Sequence, residues 1–299
     1  MPLAGVGDAS PLCPKPSDDN TNAAVGISEG HCYFPTEALE LENGNGNDME
    51  TERLPEIRQH ARPGAVALVT GATSGIGLDV ARQLIRHGMT VWLGARDVEK
   101  GERTARSLGP SARVVQLEVT DAVSVEAAAA EVGELDVLVN NAGVNPGGDD
   151  IDGTTLEQLR AAYETNVFGL IGVTQAFLPA LRRSAHPRIV NVSSGTGSLT
   201  WNGGPNPQFD WAAVKGGGLA YRTSKTAVNG VTLLTAQALG DRFKVNAVAP
   251  GLRRTGIVPG MSVGGDPAEA AAGIVRLALL PDDGPTGALW SWDGTRAPW

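Results

Sequence analysis

The feature that most limits the fold of this chain is a buried-strand pattern that ends in a glycine-rich turn. Residues 65–70, AVALVT, form a continuous apolar run, which is typical of a strand buried on both faces of a sheet. The turn TGATSGIG spans 70–77, and the helical pattern LDVARQLIRHG follows it. This order predicts a strand, a tight turn and a helix, which together begin a parallel βαβ unit.

The alternation continues to the end of the chain. Further strand patterns lie at 90–95, 113–119, 135–140, 188–193, 243–249 and 287–292, and helical patterns lie at 97–109, 122–133, 156–181, 220–240 and 267–280. Strands that alternate with helices imply a parallel sheet covered on both faces. We therefore expect an α/β fold of the Rossmann type, a doubly wound, mostly parallel sheet of seven strands.

Residues 1–60 have a different composition. They are rich in Gly, Asn, Asp, Glu, Ser and Pro, and they hold 11 acidic and 3 basic side chains of a chain whose net charge is −9. Such a segment buries too little apolar surface to offset its chain entropy, so we expect a disordered acidic leader and one folded domain over 61–299. A dispensable tail, a misassigned start codon and a docking or regulatory arm all remain open for the leader.

Composition also excludes several classes of function. No apolar run reaches the roughly 18–20 residues of a membrane span, and no basic stripe suggests a nucleic-acid surface. The N-terminus lacks the pattern of a signal peptide, so a cytoplasmic location is the expectation. Both cysteines, Cys13 and Cys32, lie in the leader, where a disulfide and two free thiols are both compatible with the sequence. The four histidines have no metal-ligand spacing and there is no G-x-S-x-G elbow, so neither a metal site nor a serine hydrolase is supported.

The turn after the first strand predicts a dinucleotide site. Its glycines are Gly71, Gly75 and Gly77, and backbone N–H groups beside glycines can approach a pyrophosphate at the start of a helix. The other predicted cofactor contacts in this turn are Thr73, Ser74 and Ile76. The alternative is a tight turn with no ligand. Position favours the ligand, because the first βα turn is where doubly wound sheets bind one.

The end of the second strand indicates which dinucleotide binds. An acidic residue there would bond the ribose 2′-hydroxyl of NAD, but this chain has Gly94, Ala95 and Arg96. A guanidinium suits a 2′-phosphate, so the sequence favours NADPH over NADH. Pairing of Arg96 with Asp97 or Glu99 is the open alternative.

Tyr221 and Lys225 form a candidate catalytic pair in LAYRTSK, residues 219–225. Residues four apart lie on the same helix face, so the phenol and the ammonium can act on one target. Free tyrosine has a pKa near ~10, and a nearby cation favours the phenolate. We therefore expect the ammonium, together with a cationic nicotinamide, to lower the pKa of the phenol. The spacing alone is weak support, because chance produces it in many helices.

Six motifs in order now resemble the short-chain dehydrogenase/reductase family, and in particular its NADPH-dependent carbonyl-reductase branch. They are TGATSGIG at 70–77, NNAG at 140–143, ETNVFG at 164–169, NVSSGTGS at 191–198, YRTSK at 221–225 and NAVAPG at 246–251. The resemblance covers about 64–299. It implies that Tyr221 is the general acid–base, Lys225 its partner, Ser194 a donor to the substrate carbonyl and Asn166 the support of a proton-relay water.

The same resemblance implies the remaining cofactor contacts. Asn140, Ala142 and Gly143 would shape the cofactor channel, Pro250 and Gly251 would pass beside the nicotinamide, Thr255 would contact the cofactor, and Glu118 and Val119 would lie near the adenine. Tyr221 and Lys225 belong to the cofactor set as well. Glu118 departs from the family, which commonly has Asp there, so we expect a modest change in that contact.

Two segments depart from simple family members. Ser194 and Tyr221 are 27 positions apart, and the extra residues 201–218 contain Trp201, Phe209 and Trp211. We expect a loop that forms a wall of the substrate pocket, with plain packing as the alternative. An insertion here can cover the usual dimer face in the carbonyl-reductase branch, so monomer and homo-oligomer both stay open. Arg253 and Arg254 either help to bind anions or face solvent.

Together these observations predict an oxidoreductase that transfers hydride between NADP(H) and a carbonyl/alcohol pair, most simply a ketone or aldehyde reductase. Its expected partner is a small-molecule carbonyl or alcohol, with no nucleic acid and no membrane. An NAD-dependent alcohol dehydrogenase working oxidatively and a catalytically silent NADP-binding regulator are the alternatives.

Overall fold

The computed structural model describes residues 27–28, 31–32, 52–54, 63–148, 150–207, 216–257 and 264–299. The chain divides into two compact units, Met1–Asp48 and Met49–Trp299. In the first unit, the two-residue strands Ile27–Ser28 and His31–Cys32 pair antiparallel. The rest of the predicted leader lies outside the described residues except 52–54, and its disorder stays a prediction.

The second unit is built on one sheet. In chain order its strands are β1 Val66–Thr70, β2 Thr90–Ala95, β3 Ala112–Gln116, β4 Val137–Asn140, β5 Arg188–Val192, β6 Lys244–Ala249, β7 Ala288–Ser291 and β8 Arg296–Ala297. They lie in the order β8-β7-β6-β5-β4-β1-β2-β3, and only β8 is antiparallel to its neighbour. The predicted Rossmann class is confirmed, with all seven predicted strands present. The short strand β8 adds an eighth in the part of the chain that the structure describes.

Helices cover both faces of the sheet. They are α1 Gly75–Arg86, α2 Val98–Leu108, α3 Ala122–Val132, α4 Leu156–Tyr163, α5 Leu170–Arg183, α6 Leu199–Gly203, α7 Leu219–Leu239 and α8 Pro267–Ala278. A π-helical turn, Glu164–Gly169, joins α4 to α5, and a 3₁₀ turn, Gly195–Gly197, follows β5. None of the described helices is both long and apolar enough to cross a membrane.

The apolar strand runs are explained by two cores. Ala67 and Val69 of β1 belong to the cluster that includes α1 and α8 residues, whereas Leu68 belongs to the cluster on the opposite face with Phe177 of α5. Side chains alternate between the faces of a strand, so a strand covered on both sides must be apolar throughout. Such burial stabilises the fold by about 1.5–3 kcal/mol for each large aliphatic side chain.

The strand order places the site. β1 has β4 on one side and β2 on the other, so the connections after β1 and β4 leave the sheet in opposite directions. Ligands of doubly wound folds bind at this switch point, outside the carboxyl ends of the strands. At the opposite end of the strand order, residues 52–54 pair beside β8: Leu54 N donates to Gly294 O at 2.7 Å, and Arg296 N donates to Glu52 O at 2.8 Å. These three residues precede the domain boundary expected at 61, yet they belong to the second unit.

Candidate active site

The glycine turn after β1 is held open by backbone conformation. Gly71 and Gly75 have φ of +64° and +54°, in the left-handed region that favours glycine. Gly77 serves a different purpose, because a Cβ there would lie 2.6 Å from the carbonyl oxygen of Gly71. Only glycine lets the start of α1 pack this closely on the loop. Ser74 precedes α1 and makes no side-chain cap to it among the described contacts, and the first turn of α1 holds no acidic residue. These features suit an anion at this helix terminus.

Asn141 holds this turn against the end of β4, a role that was not predicted from the sequence. Its Nδ2 donates to the carbonyl oxygens of Thr70 at 2.9 Å and Gly71 at 3.3 Å. The hydroxyl of Thr70 in turn accepts from the backbone N–H groups of Asn141 and Ala142, at 3.0 and 2.9 Å. The only signal in the sequence was a second asparagine after a buried strand at the switch point.

Asn140 has a scaffold role in the structure. Its side chain is 4% exposed, and its Nδ2 donates to the Thr174 hydroxyl at 3.0 Å and to Asn191 Oδ1 at 2.9 Å. Asn191 Nδ2 donates onward to the Thr232 hydroxyl at 2.9 Å. The network ties β4 to β5, α5 and α7 beneath the site. The predicted contribution of Asn140 to the cofactor channel stays a prediction.

Arg96 lies exposed at the carboxyl end of β2. The two acids that could have paired with it are engaged elsewhere: Asp97 accepts from Lys100 N at 2.9 Å as the cap of α2, and Glu99 lies 3.7 Å from Arg103. Within the described residues no ion pair to Arg96 is formed. Its guanidinium is therefore available to an anionic ligand.

Glu118 and Val119 follow β3 at the same edge of the sheet. The Glu118 carboxylate accepts from the Thr120 hydroxyl at 3.0 Å and from Thr120 N at 3.3 Å. Val119 packs beside Gly169, where an added Cβ would lie 3.0 Å from the Val119 carbonyl oxygen. Glu118 thus stabilises its own turn, which is the use that the structure shows for the longer carboxylate.

Tyr221, Lys225 and Ser194 are brought together between α7 and the end of β5. The Lys225 Nζ donates to the carbonyl oxygen of Val192 at 2.8 Å and lies 5.6 Å from the centre of the Tyr221 ring. Lys225 is 3% exposed, and the Ser194 side chain lies near enough to the Tyr221 phenol to influence its pKa. The ammonium also lies near Gly143, at 3.6 Å from the position of a Cβ there. Lys225, one turn along α7, and Ser194, at the end of β5, thus both lie near the phenol of Tyr221.

The pKa values of Tyr221 and Lys225 are both shifted from their ordinary values. Burial raises the pKa of Tyr221 to about 12, and the hydrogen bond with Ser194 opposes this rise. Burial also lowers the pKa of Lys225 to about 8. The expectation that the ammonium and a cationic nicotinamide together lower the pKa of the phenol stays a prediction, because burial is the main cause of the shift among the protein's own groups. Tyr221 is a protonated phenol at neutral pH.

Asn166 lies inside the π-helical turn and is 1% exposed. Its Nδ2 donates to Val144 O and to the Ser224 hydroxyl, both at 2.9 Å, and its Oδ1 accepts from Val144 N at 2.8 Å. The amide therefore joins the loop after β4 to α7, one turn from Tyr221. A π turn breaks the regular pattern of backbone bonds and often marks a functional site. The support of a relay water stays a prediction.

The adjacent serines have separate roles. The Ser193 hydroxyl is 2.5 Å from Asn229 Oδ1 and 3.2 Å from Lys225 O, which ties β5 to α7. Ser194 is less buried, and its Oγ accepts from Thr196 N at 3.2 Å and lies 2.9 Å from the Thr196 hydroxyl. The hydrogen bonds of Ser193 give it a structural role, whereas Ser194 lies near the phenol of Tyr221.

The loop after β6 approaches the glycine turn. Gly251 has φ of +69°, and a methyl carbon of Thr255 lies 3.4 Å from where a Cβ of Gly75 would be. Arg253 is 7% exposed; its Nε donates to Pro250 O at 2.7 Å, and its Nη1 lies 2.6 Å from a Glu269 carboxylate oxygen. Its guanidinium also stacks 4.2 Å from the centre of the Trp292 ring. Arg253 is thus a clamp on this loop. Arg254 is exposed and donates to Gly264 O at 2.7 Å.

The insertion begins with α6, and its buried aromatic residue packs on the sheet. Trp201 is 8% exposed and clusters with Ala247, Leu289 and Ala297 of β6, β7 and β8. Trp201 therefore follows the packing alternative. Phe209 and Trp211, the other aromatics expected in a pocket wall, lie outside the described residues.

A separate groove of about 440 Å³ lies between α5 and α7. Apolar side chains such as Leu178 and Leu234 line it, with Thr174 and Asn191 among the polar ones. Tyr221, Lys225 and Ser194 are not among its lining residues, so the groove is distinct from the candidate catalytic residues.

Comparison with known proteins adds an independent result. Residues 65–262 match the family model described as short chain dehydrogenase. Salutaridine reductase of Papaver bracteatum is 32% identical, over 75% of this chain and 93% of its own length. (-)-Isopiperitenone reductase of Mentha piperita is 33% identical, over 76% of this chain and 96% of its own length. The solved structure of NADPH-bound carbonyl reductase from chicken fatty liver has a TM-score of 0.68 and 28% identity, and the match covers 79% of this chain and 100% of that one.

Proposed function

Because this chain belongs to the short-chain dehydrogenase family, and is thus an NAD(P)-dependent oxidoreductase, we propose that it reduces a ketone or aldehyde with NADPH. The observation that carries the proposal is the arrangement of Tyr221, Ser194 and Lys225 at the carboxyl end of β5. Two relatives with the word reductase in their names support the reductive direction.

The residues of the site fit a nicotinamide dinucleotide. The glycine turn and the uncapped start of α1 offer a cradle that a Cβ would fill and backbone donors for a pyrophosphate. The exposed Arg96 would bond the 2′-phosphate of NADPH. Gly143, Pro250 and Thr255 would bound the nicotinamide end. When bound, the cofactor supplies the hydride that reduces the carbonyl carbon.

Tyr221 then acts as general acid. Reduction needs one proton for the carbonyl oxygen, and a phenol whose pKa is about 12 holds that proton at neutral pH. Ser194 is a neutral donor that would stabilise negative charge developing on the same oxygen. General acid catalysis of this kind typically contributes ~10²–10⁴-fold to the rate.

Lys225 and Asn166 support this step. Lys225 has a pKa of about 8, so it is mostly an ammonium at pH 7, and it would bond the ribose hydroxyls beside the phenol. That charge, together with a cationic oxidised nicotinamide, would stabilise the tyrosinate left after proton transfer. Asn166 holds the loop after β4 against α7 and would support the water that reprotonates the site.

The proposal is tested by NADPH oxidation against a panel of carbonyl compounds: benzil, acetophenone, cyclohexanone and hexanal. We expect turnover of at least one compound by the wild type and a loss of about 10²–10⁴-fold in kcat for Tyr221→Phe with NADPH binding retained. Full activity in Tyr221→Phe would refute the mechanism. NADPH binding without turnover of any carbonyl would instead favour the silent regulator.

The choice of cofactor has its own test. Arg96→Glu places a carboxylate where the 2′-phosphate would bind, and we expect the ratio of kcat/KM for NADPH over NADH to fall by about 10–100-fold, since a charge-assisted hydrogen bond is worth roughly 1.5–3 kcal/mol. Arg106→Glu, at an exposed position in the last turn of α2, makes the same charge change and should leave the ratio unaltered. An unchanged ratio in Arg96→Glu would remove Arg96 from the proposal.

A further inference from the structure

The first helix of the insertion carries an amide that is hydrogen-bonded on both sides. Asn202 lies near the end of α6, and its Nδ2 donates to Thr196 O at 2.7 Å. Its Oδ1 accepts from Arg222 Nη2 at 2.5 Å. One side chain thus connects the turn after β5 with the first turn of α7.

The bond to Thr196 reaches the catalytic serine. The backbone N–H of Thr196 donates to Ser194 Oγ at 3.2 Å, and the two hydroxyl oxygens are 2.9 Å apart. Because the Thr196 N–H occupies one acceptor site of Ser194 Oγ, the orientation of that hydroxyl depends on where the turn lies. Asn202 holds this turn in place by donating to the carbonyl group of Thr196.

The bond to Arg222 reaches the catalytic tyrosine. Arg222 directly follows Tyr221 at the start of α7, and its Nη1 also donates to Gly217 O at 3.0 Å. The contacts therefore form a chain from Ser194 through Thr196 and Asn202 to Arg222, the residue that follows Tyr221.

The helix that carries Asn202 is itself anchored. Ser198 Oγ accepts from Trp201 N at 3.1 Å as the cap of α6, and Trp201 is buried against the sheet. The Thr200 hydroxyl donates to the main-chain oxygen of Trp299 at 2.8 Å. Because α6 is anchored, the amide of Asn202 can hold both of its neighbours in place.

We propose that Asn202 is a positioning residue that aligns the Ser194 hydroxyl with Tyr221, acting through Thr196 and Arg222. This makes the start of the insertion part of the catalytic apparatus, in addition to its packing on the sheet. The inference rests on the proposed carbonyl reduction. Two hydroxyls that act on one oxygen must be placed within a fraction of an ångström, and small displacements reduce the rate strongly.

The test begins with Asn202→Ala and Asn202→Asp. Alanine removes both bonds, whereas aspartate keeps an acceptor for Arg222 and loses the donor to Thr196 O. With the fastest compound of the carbonyl panel, we expect kcat to fall about tenfold in both variants. The KM and dissociation constant for NADPH should stay within about threefold, because the glycine turn is untouched. Gly203→Ala is the matched control on the same helix, since no atom lies within 4 Å of the added Cβ.

A double-mutant cycle separates positioning from general destabilisation. If Asn202 acts through Ser194, Asn202→Ala should lower kcat about tenfold in the wild type and leave it nearly unchanged in Ser194→Ala. An equal loss in both backgrounds would overturn the proposal, and so would a wild-type kcat in both Asn202 variants. If Asn202→Ala fails to fold, the same cycle is measured with Asn202→Asp.

The outcome for the wild type distinguishes the two proposals. A wild type that oxidises NADPH with none of the carbonyl compounds overturns the carbonyl reduction and this inference together. A wild type that turns over a compound, and whose rate does not depend on Asn202, overturns the inference alone.

Discussion

The loops after β1 and β5 leave the same edge of the sheet but are fixed by different means. Four residues, 71–74, join β1 to α1, and two of the glycines in this region adopt positive φ. Twenty-six residues, 193–218, join β5 to α7, and the described part of them is held by side chains such as Asn202, Ser198 and Trp201. The loop after β1 offers backbone groups to a ligand, whereas the loop after β5 holds side chains in position.

This difference explains why the glycine turn can be predicted from the sequence, whereas the side-chain contacts of the loop after β5 cannot. A backbone that must come close to a ligand or to a helix excludes Cβ atoms, so glycine appears at fixed positions. A side chain that must be oriented can be held by any donor or acceptor within reach, so no residue type marks the position.

Gly77→Ala should disrupt the glycine turn between β1 and α1. The added Cβ would lie 2.5 Å from Asn141 Nδ2 and 2.6 Å from Gly71 O, so the helix or the loop must move. We expect a loss of about 3 kcal/mol in the free energy of unfolding, at the upper end for overpacking, and a loss of more than about tenfold in NADPH affinity. Chemical denaturation and fluorescence titration measure the two effects.

Gly230→Ala is the matched control. Gly230 is exposed in α7, no atom lies within 4 Å of its added Cβ, and alanine in a helix is favoured over glycine by roughly 0.5–1 kcal/mol. This variant should be slightly stabilised and bind NADPH normally. Equal behaviour of the two variants would contradict the account of the glycine turn.

Lys225→Met tests whether the Lys225 ammonium is desolvated, through the dependence of the free energy of unfolding on pH. Burial lowers the pKa of Lys225 to about 8 from an ordinary value of 10.5, so below pH 8 the folded protein holds a buried charge that the unfolded chain exposes. The folded state loses this proton first, and its stability therefore rises from pH 8 towards pH 10.5. At pH 7 we expect Lys225→Met to be more stable than the wild type by about 2 kcal/mol, after allowance for the lost bond to Val192.

The measurement is urea denaturation between pH 7.5 and 9.5, below the range in which Tyr221 titrates. The difference in the free energy of unfolding between Lys225→Met and the wild type should shrink as the pH rises. A difference that is constant across this range would mean that Lys225 is not desolvated. Turnover should be lost in the variant at every pH.

Arg253→Met should loosen the loop after β6. It removes the bonds to Pro250 and Glu269 and the stacking on Trp292, and it leaves Glu269 half exposed to water. We expect a loss of about 1.5–2 kcal/mol in stability and a rise of a few fold in the KM for NADPH, with kcat less affected. Arg254→Met, at the exposed neighbouring position, should change neither by a comparable amount; if it does, the clamp is not specific to Arg253.

Asn141→Ala has the smallest expected effect. It removes the donor to the carbonyl oxygens of Thr70 and Gly71, at a point where water can replace part of the interaction. We expect about 1 kcal/mol of destabilisation and a rise of two- to fivefold in the NADPH dissociation constant. An effect as large as that of Gly77→Ala would show that a side chain, rather than backbone, dominates the glycine turn.

The sequence predicted the second unit well, because its signals are local. A strand covered on both faces must be apolar throughout, and the apolar positions of an amphipathic helix must recur about every 3.6 residues. Both patterns can therefore be recognised in the sequence. The eighth strand and the pairing of 52–54 were missed, since two or three residues beside a sheet edge carry no periodicity. The order of the motifs also predicted that Ser194, Tyr221 and Lys225 share one site; the structure brings the three residues together, and their catalytic roles stay a prediction.

What the sequence determined by itself is the layered α/β fold, the glycine turn and the identity of the groups that meet around Tyr221. Only the tertiary structure decided how those groups behave. It showed that burial raises the pKa of the phenol, that Arg253 clamps a loop, that Trp201 packs on the sheet and that Asn202 joins the turn after β5 to the start of α7. The physical reason is that desolvation and hydrogen bonding depend on distances between residues far apart in the chain, which no local pattern encodes.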